Sequence, residues 1–95
     1  MKKIPEQLRE EMSNDPYYTK CCLSYTNNCE GRIEWHHNFI YAGRQQNHKW
    51  CILPLCHGHH LRADTKTIKP LLDRIMIDRA TSEDLAEYPK RKWSQ

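Results

Sequence analysis

Hydrophobic positions are sparse along this chain, and their spacing changes from segment to segment. Leu8 and Met12 stand four apart behind Pro5, which predicts a short amphipathic helix over 5–12, ended by Ser13-Asn14-Asp15-Pro16. Tyr17 to Gly31 has no helical period, contains Asn27-Asn28 and three cysteines, and reads as a loop held by ligands. Arg32 to Ile40, with Ile33, Trp35, Phe39 and Ile40, reads as a strand, and Tyr41 to Lys49 as a polar connecting loop. Trp50-Cys51-Ile52-Leu53-Pro54-Leu55 is a second, apolar strand whose proline points to an edge or terminal position. Cys56 to Asp64 reads as a turn running into a helix. Leu71, Leu72, Ile75, Met76 and Arg79 then recur at three- and four-residue spacing, predicting a helix from about Pro70 to Ala80. Thr81-Ser82-Glu83-Asp84 carries the capping-box pattern of a further short helix ended by Pro89, and the tail Lys90-Arg91-Lys92-Trp93 reads as a solvated terminus. The pattern is that of an α+β chain, a single domain over 1–95. Its central motif spans about 21–64, with a helix over 5–12 before it and helices over about 70–88 after it.

Composition adds a constraint. With 38% hydrophobic residues and a mean hydropathy of −0.95, the core is thin and something besides burial must support it. All five Cys and all six His fall between Cys21 and His60. Fifteen Lys and Arg against twelve Asp and Glu leave a net charge of +3, which permits nucleic acid as a partner without demanding it. No apolar run reaches the length that spans a bilayer. Met1-Lys2-Lys3-Ile4-Pro5 leads to Glu6 and Arg9 rather than to a hydrophobic signal core, so a soluble, cytoplasmic protein is expected. Thiols stay reduced in that compartment, and an odd number of Cys interleaved with His favours metal over disulfides.

Zinc takes four N or S ligands in a tetrahedron, commonly as two close pairs from separate loops. Cys56 and His59, with two residues between them, form one pair; Cys29 is a partner across the hairpin, and the fourth ligand is Cys21 or Cys22. His36 and His37 lie at the end of the first strand, where neighbouring side chains point to opposite faces, so they have separate tasks. His60 and Asp64 are four apart on the predicted helix and share a face. His36, His60 and Asp64 would make a nitrogen and oxygen site for a hard cation, with His37 placed to deprotonate a water. Phosphodiester hydrolysis fits that set, with Arg44 in the loop as a phosphate contact. His48 and His57 receive no ligand role, and Trp35, Trp50 and Tyr41 read as packing.

Trp35-His36-His37, the loop Tyr41-Ala42-Gly43-Arg44, and Ile52-Leu53-Pro54-Leu55-Cys56 followed by His59-His60 together resemble the HNH endonuclease motif. The resemblance covers about Cys21 to Asp64. It implies a ββα-metal finger with a structural zinc beside the active site, acting as a metal-dependent DNA nuclease. Small stand-alone members are frequent in phages and prophages, some near recombination functions, so a homodimer or a recombination partner protein is an implied associate. By this likeness His36, His60 and Asp64 hold the catalytic Mg²⁺ or Mn²⁺, His37 is the general base, and Cys21, Cys29, Cys56 and His59 hold Zn²⁺. The sequence departs from the family at three places. The central Asn, five residues before the Cys matching Cys56, is here Cys51, with Asn47 a candidate to orient the base instead. His59 stands where the family has Cys, and Asp64 where it has His or Asn. The rival reading is a zinc-stabilised nucleic-acid or protein-binding module with weak or lost catalysis, for which Cys51 is the main support.

Overall fold

The computed structural model describes residues 4–26 and 28–88. The chain runs α1 (Glu6–Ser13), β1 (Ile33–His37), β2 (Ile40–Tyr41), β3 (Arg44–Gln45), β4 (Ile52–Cys56), α2 (His57–Leu61), α3 (Lys69–Arg79) and α4 (Ser82–Ala86). Short 3-10 turns occupy Pro16–Thr19, Ser24–Thr26 and Lys49–Cys51. This is a small mixed α+β architecture, as the sequence pattern leads one to expect. No helix among the described residues is long and apolar enough to cross a membrane.

The centre is the antiparallel pair of β1 and β4, in the register Ile33↔Cys56, Trp35↔Pro54 and His37↔Ile52. All five residues of β4 are buried, because both faces of this two-stranded sheet are covered. Ile52 packs with Met12 and Tyr18 in one cluster, whereas Leu53 and Leu55 belong to the larger cluster with Phe39, Leu72 and Met76. A strand sandwiched in this way loses the alternation of a half-exposed one, which accounts for the unbroken apolar run Ile-Leu-Pro-Leu-Cys. Pro54 has no N–H to give the ladder, and its carbonyl accepts from the Cys22 amide at 2.8 Å, which draws the 21–22 segment onto the strand.

Three expectations are revised. The strand expected over 32–40 ends at His37, because its ladder partner begins only at Ile52 and the residues before that, Lys49–Cys51, form a 3-10 turn that offers no extended edge to pair with. The loop over 41–49 contains a tight hairpin, β2 against β3, turned by Ala42 at φ 53° and Gly43 at φ 78°. Alanine is an unusual residue for that left-handed position, and two paired residues on each side leave no periodic signal. The second strand starts at Ile52, since Trp50 and Cys51 belong to a 3-10 turn.

Helices α1, α3 and α4 follow the sequence signals closely, whereas the turn expected to lead into a helix over 56–64 is reversed, with α2 coming first and the turn after it. α3 opens with Pro70 in its first turn and buries Leu72 and Met76. In α4 the Thr81 hydroxyl accepts from the Asp84 amide at 3.1 Å while the Asp84 carboxylate accepts from the Thr81 amide at 2.9 Å, so the capping box is complete. Pro89 and the basic tail Lys90–Trp93 lie outside the described residues. The end of α3 is fastened by Arg79, whose guanidinium lies 3.9 Å over the Tyr17 ring and donates to the Tyr18 hydroxyl at 3.1 Å.

Leu53 is fully buried at the middle of β4. Leu53→Ala is therefore expected to lower stability by about 2–5 kcal/mol, read as a shift of the denaturant midpoint in the metal-loaded protein.

Candidate functional site

Four candidate ligands converge where β4 passes into α2. Cys21 Sγ, Cys29 Sγ, Cys56 Sγ and His59 Nδ1 all lie within 4.8 Å of one another. The sulfurs of Cys56, Cys21 and Cys29 stand 3.2, 3.4 and 3.9 Å from His59 Nδ1. A tetrahedral zinc with bonds of about 2.3 Å to sulfur and about 2.0 Å to nitrogen places those atoms about 3.5 Å apart, so the cluster could hold such an ion with only small adjustments.

The surroundings of the four residues fit the same role. Amides of Glu30 and His59 donate to Cys56 Sγ at 3.3 and 3.4 Å, and the Leu23 amide donates to Cys21 Sγ at 3.4 Å. Burial opposes ionisation of Cys56, but these amides and the neighbouring Cys29 and Cys21 thiols outweigh it and hold the group below the usual thiol range. The Thr26 hydroxyl donates its only proton to the Leu23 carbonyl at 2.8 Å, so toward His59 Nε2, 3.2 Å away, it can only accept. His59 therefore carries its proton on Nε2 and leaves Nδ1 bare for a metal. Of the two cysteines left open by spacing, Cys21 joins the cluster. Cys22 is half-buried against the core, and burial, followed by the charge of Cys21, pushes its thiol up to about 12.

The other histidines divide between the two faces of β1. His36 and Glu34 share the face beneath α2, and the His36 ring meets that of His60 edge-on at 5.1 Å between centroids. Burial first, then the charges of His60 and Lys69, push the His36 pKa down to about 4, so its imidazole is neutral at neutral pH. His37 turns to the other side, where its Nε2 lies 2.7 Å from Asn47 Oδ1. An open cleft of about 280 Å³ is lined by His36, His37, Ile40, Asp64, Lys69 and Asp73 among others.

Asp64 reaches this cleft by a different route from the one the spacing implies. α2 stops at Leu61, and i→i+3 bonds from the Arg62 amide to His59 and the Ala63 amide to His60 turn the chain, burying Ala63 and exposing Asp64. His60 and Asp64 thus do not share a helical face; five residues, one of them Gly58, are too few to carry the helix that far. Among the described residues, His36, His60 and Asp64 do not form a group with all ligand atoms within 4.8 Å, unlike the Cys3His set. Arg44 sits exposed on the β2–β3 hairpin away from the cleft lining. The cation that does line the cleft is Lys69, which donates to Asp73 at 2.8 Å and to the Asn38 backbone and side-chain oxygens at 3.2 and 3.3 Å.

Two residues escape the sequence reading. Glu34 accepts from His60 Nδ1 at 2.7 Å and His57 Nδ1 at 3.1 Å; the only hint was its place two residues before His36 on one strand face. Asn38, buried and tied to Asp73 and Lys69, anchors the strand end that carries both histidines, a tertiary contact with no local signal. In comparisons with known proteins, the chain matches no family model, no curated protein and no solved structure.

One zinc per chain is expected after dialysis, lost in Cys21→Ser and kept in Cys22→Ser, as read by metal analysis. Because the folded-state pKa of His36 lies below its unfolded value of 6.5, the unfolded chain binds more protons between those values. Stability is therefore expected to fall on acidification from about pH 6.5 toward pH 4, and His36→Asn to flatten that slope in pH-dependent thermal melts.

Proposed function

We propose that this chain is a metal-dependent DNA endonuclease of the HNH type, with β1, β4 and α2 as its ββα-metal finger and His37 as the general base. The observation that carries this reading is the contact between His37 Nε2 and Asn47 Oδ1 at 2.7 Å. An amide oxygen can only accept, so Nε2 holds the proton and Nδ1 is the basic nitrogen available to a water. Such an imidazole, fixed in tautomer at the edge of an open cleft, is what in-line attack on a phosphodiester requires.

The family's central Asn is replaced by Cys51, and its work is divided here between two residues. Cys51 is fully buried, and its thiol lies 3.5 Å from the Gln46 carbonyl and 3.4 Å from that of His48, bracketing Asn47. Burial pushes the Cys51 thiol up to about 11, which keeps it a protonated donor to those carbonyls. Cys51 braces the loop and Asn47 orients the base. His48 completes the support by hydrogen bonding to the Tyr88 hydroxyl, which in turn donates to Gln46 Oε1 at 3.0 Å.

His36, held neutral by its burial, together with the His60 imidazole and the hard carboxylate of Asp64 suits a divalent cation that leaves open positions for water and phosphate. Mg²⁺ or Mn²⁺ bound there would polarise the scissile phosphate and stabilise the leaving 3′-oxygen. The Cys3His set supplies structure rather than chemistry. With one base per chain, each protomer would cut one strand, and a double-strand break would take a homodimer or a second encounter. A binding module with lost catalysis is the second reading, favoured by the looser grouping of His36, His60 and Asp64.

The test is a supercoiled plasmid assay with Mg²⁺ or Mn²⁺. Nicked circles are expected to accumulate, with a loss of about 100-fold or more in His37→Ala and a smaller loss in Asn47→Ala. Cleavage indifferent to His37 would remove the mechanism, and no cleavage with any divalent ion would favour the binding module.

A further inference from the structure

Beside the cleft, the Glu34 carboxylate engages three partners. Its Oε1 accepts from His60 Nδ1 at 2.7 Å, and its Oε2 accepts from His57 Nδ1 at 3.1 Å and pairs with Arg32 Nε at 3.2 Å. The Glu34 side chain is 20% exposed and its bond to His60 is part-buried, whereas His57 and Arg32 reach the carboxylate from the solvent side. Approach of α2 to this segment is built in. A Cβ on Gly31, at φ +84°, would lie 2.8 Å from His57 Cβ, and the His57 and Gly58 amides donate to the Arg32 and Glu30 carbonyls at 2.8 and 2.9 Å. A helix of five residues has little stability of its own, so its side-chain orientations are set by what grips it. His59 is held from the cysteine side and His60 from the Glu34 side.

A carboxylate accepting from Nδ1–H commits His60 to that tautomer and leaves Nε2 as its bare nitrogen. Glu34 and His36 are two apart on one strand, and the His36 ring stands against that of His60. We infer that Glu34 is the positioning residue for His60 beside the cleft: through its bond to Nδ1 it makes His60 Nε2 the donor for a divalent cation shared with His36, the ring that does line the cleft. This rests on the reading of His36 and His60 as cation ligands. Carboxylate–imidazole–metal relays of this kind govern both ligand orientation and basicity.

The experiment uses the full-length, zinc-loaded protein with ¹⁵N-labelled histidine, at a pH where the imidazoles are neutral. Long-range ¹H–¹⁵N spectra report the tautomer of each ring, and Mn²⁺ titration followed by electron paramagnetic resonance reports cation affinity. Wild type is expected to show His60 as Nδ1–H. Glu34→Ala is expected to lose that single tautomer and to bind Mn²⁺ about 10- to 100-fold more weakly, while Glu34→Gln, whose carbonyl still accepts, recovers most of both. His57→Ala removes the other grip on the same carboxylate and is expected to leave the His60 tautomer unchanged. Should Glu34→Ala fail to fold, Glu34→Asp, which keeps the charge but lacks the reach, replaces it with the same expectation. An unchanged His60 tautomer and unchanged Mn²⁺ affinity in the folded variant would overturn the inference and leave Glu34 a structural clamp, as would a wild type that binds no Mn²⁺. A wild type that binds Mn²⁺ in a Glu34-dependent way but cuts no DNA would sink the nuclease reading and uphold the role of Glu34.

Discussion

The antiparallel register of β1 and β4 is the constraint on which the rest depends. Placing Ile33 opposite Cys56 and His37 opposite Ile52 puts Glu34 and His36 beneath α2 and His37 on the far side, within reach of the 46–48 loop. A slip of one residue would exchange the two faces, pairing His37 with His60 and leaving His36 to the loop. The register is held because β4 is buried on both sides, with Ile52 committed to the Met12–Tyr18 cluster and Leu53 and Leu55 to the other. Apolar burial along one short strand thus decides the faces on which His36 and His37 stand.

The helix that follows shows how a thin core can support an ordered site. Five residues cannot make a stable helix alone, and α2 is gripped from two directions instead. His59 faces the three thiols, while His57 and His60 face Glu34. A metal in the Cys3His cluster would join the 21–29 segment to the β4–α2 corner, adding to the apolar packing that Cys21 and Leu23 already share with Leu55 and Cys56. The neighbouring residues His59 and His60 of one short helix thus carry the cysteine cluster and the Glu34 contact.

The loop between the hairpin and β4 is fixed by polar chemistry as well as by the burial of Trp50 and Cys51. Cys51 lies against the carbonyls on either side of Asn47, and His48, Tyr88 and Gln46 form a hydrogen-bonded chain alongside. His48 also stacks on Trp50, with ring planes 8° apart. Residues that carry no assignment by spacing, His48 among them, hold the segment that presents Asn47 to His37. Lys69, Asp73 and buried Asn38 perform the matching service at the end of β1.

Periodicity and spacing alone determined where α1, α3 and α4 start, the two principal strands, the capping box at Thr81 and the concentration of ligands between Cys21 and His60. These are local: a 3.6-residue period, a two-residue alternation or a pair of ligands two residues apart is written within one segment. The choice of Cys21 over Cys22, the early stop of α2 that leaves Asp64 in a turn, and the contacts Glu34–His60 and Asn47–His37 were decided only by the tertiary structure. The cysteine choice and the two contacts join residues from different elements, so their cause is which surfaces pack together, whereas the stop of α2 lies in the i→i+3 bonds of its own last turn. The hairpin at Ala42-Gly43 falls between the two cases, since its turn is local but uses an alanine where the backbone conformation ordinarily calls for Gly or Asn.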